Sequence, residues 1–200
     1  MREKSYLRGS SMNIAGKEYK KVLFVHVPKT AGSSIFTYLY RNGLDHWTRT
    51  ATRRHDSYKQ LSTNNFIDDT VFSFSVVRNP YARAYSCFKQ HNKTNVSDLS
   101  FMEYLTNTKN GEISPETPLL HLPQYKYVVD ESGSIGVTKI YKFENLKELE
   151  DDFGTTLTFD NVGEYDIEAY NADYTQEAIN IVKELYSEDF DLFGYSKEFN

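Results

Sequence analysis

The chain has 200 residues, of which 39% are hydrophobic and 15% aromatic, so it has enough apolar side chain to form a globular domain. It contains no apolar run of the ~18 residues needed to span a membrane and no apolar signal-peptide core. These features argue against membrane insertion and lead us to expect a soluble, cytoplasmic protein. A single cysteine, Cys87, excludes an internal disulfide and is expected to be a small structural residue.

The net charge of −5 conceals an uneven distribution of charge along the chain. Residues 1–100 contain 16 Lys and Arg against 7 Asp and Glu, whereas residues 101–200 contain 7 against 21. A basic half of this kind attracts anionic ligands locally, although the protein as a whole is acidic. Basic tracts interleaved with aromatic residues are absent, so we expect no nucleic-acid partner.

The first predicted strand and helix enclose a turn that suits an anion. We expect residues 1–18 to be a flexible arm and residues 19–200 to be a single domain that begins with a buried-strand pattern over residues 22–27. Residues 29–34 then form a small-residue turn with one lysine, and a helical pattern follows to residue 41. Because helix N–H groups, the helix dipole and a lysine charge meet at such a turn, we expect a phosphate- or sulfate-bearing ligand there.

The remaining predicted elements alternate between strands and helices. The second strand covers residues 70–77, and Asn79-Pro80 then starts a helix whose core stripe includes Tyr81 and Tyr85. Further helices are predicted near residues 58–61, 98–107 and 144–152, a surface loop over 114–124, a third strand over 135–143, and a C-terminal amphipathic helix ending near residue 194. This alternation predicts an α/β fold with a central, mostly parallel sheet covered by helices on both faces.

A second anion-binding motif follows the second strand. Arg78 leaves the end of this strand, and Ser86 lies two turns into the next helix, on the side away from Tyr81 and Tyr85. An arginine fork and a hydroxyl that meet at one point form a good clamp for a phosphate monoester. Both motifs fall at the carboxyl ends of strands, where parallel sheets bind their ligands.

Together, PKTAGSS at residues 28–34 and RNPYARAYS at residues 78–86 resemble the sulfotransferases that use 3′-phosphoadenosine 5′-phosphosulfate (PAPS). The sequence is most similar to the carbohydrate-type and bacterial branch, and the similarity covers about residues 20–196. It includes Arg54-His55, Pro123-Gln124, and residues 141–146 and 192–195. The resemblance implies a P-loop-like, three-layer fold and transfer of a sulfuryl group from PAPS to an acceptor hydroxyl, most simply of a glycan. It also implies release of 3′,5′-adenosine bisphosphate (PAP) and no requirement for a metal.

The resemblance also implies a role for individual residues. The 3′-phosphate is expected at Arg78 and Ser86, and the 5′-phosphosulfate at the turn formed by Lys29, Thr30, Ala31, Gly32, Ser33 and Ser34. Lys29 would stabilise the leaving oxygen, and His55 matches a histidine position of the carbohydrate-type relatives that would take the proton of the acceptor. The residues expected to contact the acceptor are Arg53, Arg54, His121 and Gln124.

Other residues compete for the role of the base. Asp56 and Glu144 are alternative candidates, although Glu144 is more simply the start of a helix. His26 lies between two valines of the first strand and is expected to be a hydrogen-bonded core residue. His46 and His91 are expected to be surface residues.

Two other functions remain open at the level of sequence. A P-loop phosphotransferase would also bind a nucleotide, but the turn lacks the Gly-Lys-Ser/Thr of the triphosphate loop. In addition, the second strand ends in Arg78, where a magnesium-holding Asp would be expected. The third possibility is a binding module that keeps the nucleotide site but has no catalytic base.

Overall fold

The computed structural model describes residues 11–42, 55–64, 67–95, 97–112, 118–157 and 167–199. Its central sheet consists of β3 (Lys21–Val25), β4 (Val71–Val77) and β5 (Lys139–Lys142), in this spatial order and all parallel. Every residue of β4 is buried, because β4 is the middle strand and both of its faces are covered. The predicted α/β fold with a parallel sheet is confirmed.

Helices occupy both sides of this sheet, as predicted. The helices within the described residues are α1 (Gly32–Arg41), α2 (Tyr58–Asn64), α3 (Pro80–Asn95), α4 (Phe101–Asn110), α5 (Tyr125–Val128), α6 (Leu146–Phe153), α7 (Ile167–Asp173), α8 (Gln176–Leu185) and α9 (Ser187–Phe193). Short 3-10 turns cover Pro118–His121 and Phe143–Asn145. The predicted C-terminal helix is two helices, because the backbone leaves helical geometry at Tyr186, where φ is −123°.

The two faces of β4 belong to two different cores, which gives the fold its three layers. Phe74 and Val76 pack on one side with residues of α1 and α6, including Ile35 and Leu149. Val77 packs on the other side, with residues of α2, α5 and α9. Alternation of side chains along the strand therefore places helices on both faces of the sheet.

A hairpin precedes the sheet and changes the predicted boundary of the arm. Strands β1 (Met12–Ile14) and β2 (Lys17–Tyr19) pair in antiparallel fashion around a two-residue turn, Ala15-Gly16, whose φ angles of 51° and 80° suit a hairpin. Ile14 is fully buried in the core beneath α6. Residues 12–18, expected to be part of a flexible arm, lie in this hairpin, which buries the apolar side chain of Ile14.

Helix α3 is buried on two sides. Its predicted core stripe, with Tyr81, Tyr85 and Phe88, packs in an aromatic core with α4 and α8. A second set of buried residues at spacings of four, Arg83, Cys87 and His91, lies beside this stripe, and Cys87 packs in the same aromatic core. The prediction that His91 is a surface residue is therefore wrong: only 5% of it is exposed.

Candidate functional site

The turn between β3 and α1 has the backbone geometry of an anion-binding nest. Lys29 and Ala31 both have positive φ angles, 70° and 67°, which non-glycine residues rarely adopt. Alternation of left- and right-handed residues turns successive N–H groups toward one point. The first intrahelical bonds run from Ser34 N and Ile35 N to Ala31 O, at 3.1 and 3.2 Å, so the N–H groups of Gly32 and Ser33 precede the helical hydrogen-bond ladder.

Side chains of this turn differ in the direction they face. The Thr30 hydroxyl is fully buried and donates to Val27 O at 2.7 Å. This hydrogen bond stabilises the turn internally, so only the backbone of Thr30 is available to a ligand. Ser33 is exposed and Ser34 half-buried, both at the start of α1. The turn therefore offers two serines and a set of N–H groups on its outer side.

Lys29 extends from the turn toward α3. Its Nζ donates to Gln90 Oε1 at 3.3 Å, and Gln90 lies one helical turn after Ser86, on the same side of α3. Burial, together with the positive charges of Arg78 and Lys93, lowers the pKa of Lys29. A lysine of lowered pKa releases its proton more readily to a neighbouring oxyanion. Gln90 was not predicted from the sequence as part of this site.

Arg78 connects the two predicted motifs. Its guanidinium lies 4.2 Å from the centre of the Phe143 ring, and Nη1 donates to Lys29 O at 3.4 Å. The side chain is largely buried, with 8% exposed. Because β3 and β4 are adjacent and parallel, their carboxyl ends bring the Lys29 turn and Arg78 together at one edge of the sheet.

Gln124 holds the backbone of Arg78 in place. Its Oε1 accepts from Arg78 N at 2.9 Å and its Nε2 donates to Arg78 O at 2.7 Å. Asp189 in turn accepts from the backbone N–H groups of Gln124 and Tyr125, both at 2.8 Å, and burial raises the pKa of this carboxyl. Gln124 and Asp189 are fully buried. Both ends of the Gln124 amide therefore bind Arg78, and the structure does not bring Gln124 to a surface that an acceptor could reach.

Arg83 ties the anion turn to the segment that precedes α5. Its guanidinium is buried and donates to Pro28 O at 3.0 Å, Leu122 O at 3.1 Å and Leu120 O at 3.2 Å. A buried arginine with three carbonyl acceptors fixes the relative positions of these segments. Arg83 lies four residues before Cys87 and eight before His91, and this helical spacing was the sequence signal that could have indicated its burial.

His55 lies beside His26, close to the turn. The centres of the two imidazole rings are 4.6 Å apart, and the ring planes are tilted by 36°. His26 follows the end of β3 and is half-buried, next to Gly32: a Cβ built on Gly32 would lie 1.8 Å from His26 Nε2. His55 packs on His26, His26 lies against Gly32, and Arg78 donates to Lys29 O, so these residues form one contiguous group. His26 is half-buried, and is therefore less buried than the core residue expected.

A sequence model described as the Sulfotransferase family matches residues 12–196, nearly the whole chain. The chain belongs to the sulfotransferase family. Sulfuryl transfer is the general reaction of such proteins, and the resemblance based on the two motifs is confirmed at this level. Comparison with curated proteins and with solved structures gave no significant match. The match begins at Met12, the first residue of the hairpin.

His121, a predicted contact of the acceptor, has one ring nitrogen bonded and the other buried in this sulfotransferase. His121 Nδ1 hydrogen bonds the Tyr104 hydroxyl at 2.7 Å, and its Nε2 is buried. The His91 ring lies 5.8 Å away, between ring centres. Burial, with the nearby His91 and Arg83, lowers the pKa of His121 to about 4. His121 is thus held by Tyr104 of α4 through Nδ1 while Nε2 is shielded from solvent, and its contact with the acceptor stays a prediction.

Glu144, an alternative base, is held by two hydrogen bonds. It accepts from Asn79 N and from the Tyr195 hydroxyl, each at 2.8 Å. Burial and this carboxylate raise the pKa of Tyr195. Glu144 therefore joins the start of α3 to the segment after α9.

Three predicted residues, His46, Arg53 and Arg54, lie outside the described residues. Within the described ranges, no group of three or more His, Cys, Asp or Glu side chains is arranged to hold a metal ion. In the same part of the sulfotransferase, none of the helices combines the length and the apolar character needed to cross a bilayer.

Proposed function

We propose that this sulfotransferase takes its sulfuryl group from PAPS and transfers it to a hydroxyl of a carbohydrate. One observation carries the proposal: the guanidinium of Arg78 donates to the carbonyl of Lys29, so two anion-binding groups lie at adjacent strand ends. PAPS carries one anionic group on its 5′ side and a second on its 3′ side. A donor with two separated charges requires two such turns, whereas one turn suffices for a simple anion.

The 5′-phosphosulfate belongs at the turn between β3 and α1. The N–H groups of Gly32 and Ser33 and the hydroxyl of Ser34 are suited to the sulfuryl and phosphate oxygens, because they lie at the positive end of α1. The Lys29 ammonium is suited to the bridging oxygen, on which charge develops as the S–O bond breaks. Its lowered pKa favours donation of a proton to this oxygen.

The 3′-phosphate belongs between Arg78 and Ser86. The planar guanidinium of Arg78 stacks on Phe143, which orients its donors, and Ser86 lies on the side of α3 that faces Lys29 through Gln90. A charged fork plus a hydroxyl donor matches the oxygens of a phosphate monoester.

His55 is the base in this proposal. As the acceptor oxygen bonds to sulfur, its O–H proton passes to an imidazole nitrogen of His55, while the S–O bond to the bridging oxygen breaks and its electrons remain on PAP. The products are a sulfate ester, PAP and one proton, so the reaction needs no redox partner. Support for a carbohydrate acceptor comes from the resemblance of Arg54-His55 to carbohydrate-type relatives and from the basic first half of the chain.

Two measurements test the donor and the reaction. In thermal-shift titrations without magnesium, PAP at 100 times its Kd should stabilise the protein by about 2.7 kcal/mol, or roughly 5–10 °C for a chain of this size. Incubation with PAPS and a panel of oligosaccharides and simple phenols, followed by mass spectrometry, should give a mass increase for a sulfate ester on the oligosaccharides. Lys29→Met should reduce kcat by about 100-fold or more, as for loss of a group that stabilises the leaving charge.

Lys20→Met is the matched control, because Lys20 is an exposed lysine next to the same strand. It should leave both the PAP shift and kcat unchanged. Stabilisation by Mg-ATP and none by PAP would refute the PAPS proposal in favour of a phosphotransferase. A PAP shift without transfer to any acceptor would indicate a binding module, and sulfation of phenols alone would overturn the carbohydrate assignment.

A further inference from the structure

A pair of imidazole rings stands next to the anion turn, and only one member has a role in the reaction described above. The His26 ring packs on His55 with a distance of 4.6 Å between ring centres. On its other sides it stacks on Phe24 at 5.6 Å and meets Phe36 edge-on at 5.1 Å. Phe24 belongs to β3 and Phe36 to α1, so His26 is held by the two elements that form the turn.

Gly32 gives His26 its position relative to the turn. A Cβ on Gly32 would lie 1.8 Å from Nε2 and within 2.4 Å of two carbons of the ring. Gly32 does not have a positive φ, so close approach of the imidazole, and not backbone conformation, explains the glycine. The edge of the His26 ring thus lies against the first residue of α1, where the ligand-binding N–H groups begin.

We propose that His26 is a positioning residue that holds the imidazole of His55 at a fixed distance from the anion turn. The inference rests on the proposed function, because it assumes that His55 is the base. His55 lies three residues before the first residue of α2, and its ring packs on the ring of His26. The rigid ring of His26, clamped between Phe24 and Phe36, supplies a surface against which His55 packs.

His26→Leu tests this role, because leucine keeps apolar contact with Phe24 and Phe36 but removes the flat ring next to His55. We expect kcat to fall about 10- to 100-fold, the effect of misplacing a catalytic group by about 1 Å. The KM for PAPS and the PAP thermal shift should change less than about twofold, since the anion turn is intact. A loss that falls on KM and on PAP binding, with kcat retained, would contradict the proposal.

A double-mutant cycle separates positioning from general damage. If His26 acts through His55, His26→Leu should cause no further loss of kcat in a His55→Ala background. Equal loss in both backgrounds would overturn the proposal. Phe72→Leu is the matched control: this buried aromatic residue belongs to the same sheet and packs on Tyr19, Phe74 and Phe153, so its effect should be independent of His55.

A spectroscopic measurement keeps the inference testable even if PAPS proves not to be the donor. In 1H–13C spectra of the free protein, the ring signals of His55, assigned by their loss in His55→Ala, should move and broaden in His26→Leu. They should stay in place in Phe72→Leu. Unchanged His55 signals in His26→Leu would refute the packing role, whereas changed signals with no PAPS turnover in the wild type would refute the proposed function alone.

Discussion

Replacement of Gln124 by leucine should destabilise the fold and weaken the proposed PAP site together. The amide of Gln124 supplies the partners of both Arg78 N and Arg78 O, and the residue is 0% exposed. Leucine has a similar volume but no polar atom, so two buried backbone groups would lose their hydrogen bonds. At about 1–3 kcal/mol for each, the free energy of unfolding should fall by about 2–6 kcal/mol.

This loss can be measured by urea denaturation and by thermal melting. For a chain of 150–250 residues, each kcal/mol corresponds to roughly 2–4 °C, so Tm should fall by roughly 4–24 °C. Because Arg78 loses the bonds that fix its backbone, the stabilisation of the remaining folded protein by PAP should also decrease. Lys126→Leu, at an exposed position of α5, the helix that follows Gln124, is the control and should change the unfolding free energy by less than about 0.5 kcal/mol.

Gln124→Glu makes the test sharper. The carboxylate still accepts from Arg78 N–H, but at neutral pH it has no hydrogen to donate to Arg78 O and it lies near the buried carboxyl of Asp189. Protonation at low pH restores the missing donor, so this variant should regain stability relative to Gln124→Leu as pH falls. Wild-type stability in Gln124→Leu, or no difference in the pH dependence of the two variants, would refute the assignment.

Three further predictions concern stability. The pKa of His121 is lowered to about 4 in the folded protein. As pH falls below 6.5, the unfolded chain therefore binds a proton at this residue before the folded protein does, and the free energy of unfolding decreases. Between pH 6.5 and 4.5, His121→Leu should therefore lose about 1–3 kcal/mol less unfolding free energy than the wild type, as measured by urea midpoints. Ala31→Val, at φ 67°, should cost about 1–2 kcal/mol, whereas Ala31→Gly should not destabilise. Arg83→Lys should lower Tm by several degrees, because an ammonium does not reach all three carbonyls; an unchanged melt would contradict the clamp.

Local patterns in the sequence were sufficient to predict the parallel sheet and the two strand-to-helix turns that carry the motifs. The β-branched and aromatic run of β4 and the helix start at Asn79-Pro80 were correct, and Asn79 Oδ1 does accept from Tyr81 N at 2.9 Å. Contacts between distant residues could not be predicted in this way. Gln124 lies in a stretch that the sequence predicts to be a surface loop, yet its hydrogen-bond partner Arg78 is 46 positions away in the chain. Only the fold brings the two residues together. The amide of the buried Gln124 then binds the backbone of Arg78, whereas the sequence alone suggested a contact with the acceptor.

The hydrogen bond between Arg78 and the carbonyl of Lys29 has a consequence for inhibitor design. This bond links the turn between β3 and α1 to the turn between β4 and α3. A ligand that occupies one turn therefore need not reorganise the other. If both turns bind anions as proposed, two small anionic fragments would each bind weakly, but a spacer that spans the turns would raise the effective concentration of the second fragment and strengthen binding by about 10²–10⁴-fold. The best antagonists of this enzyme should accordingly be bivalent.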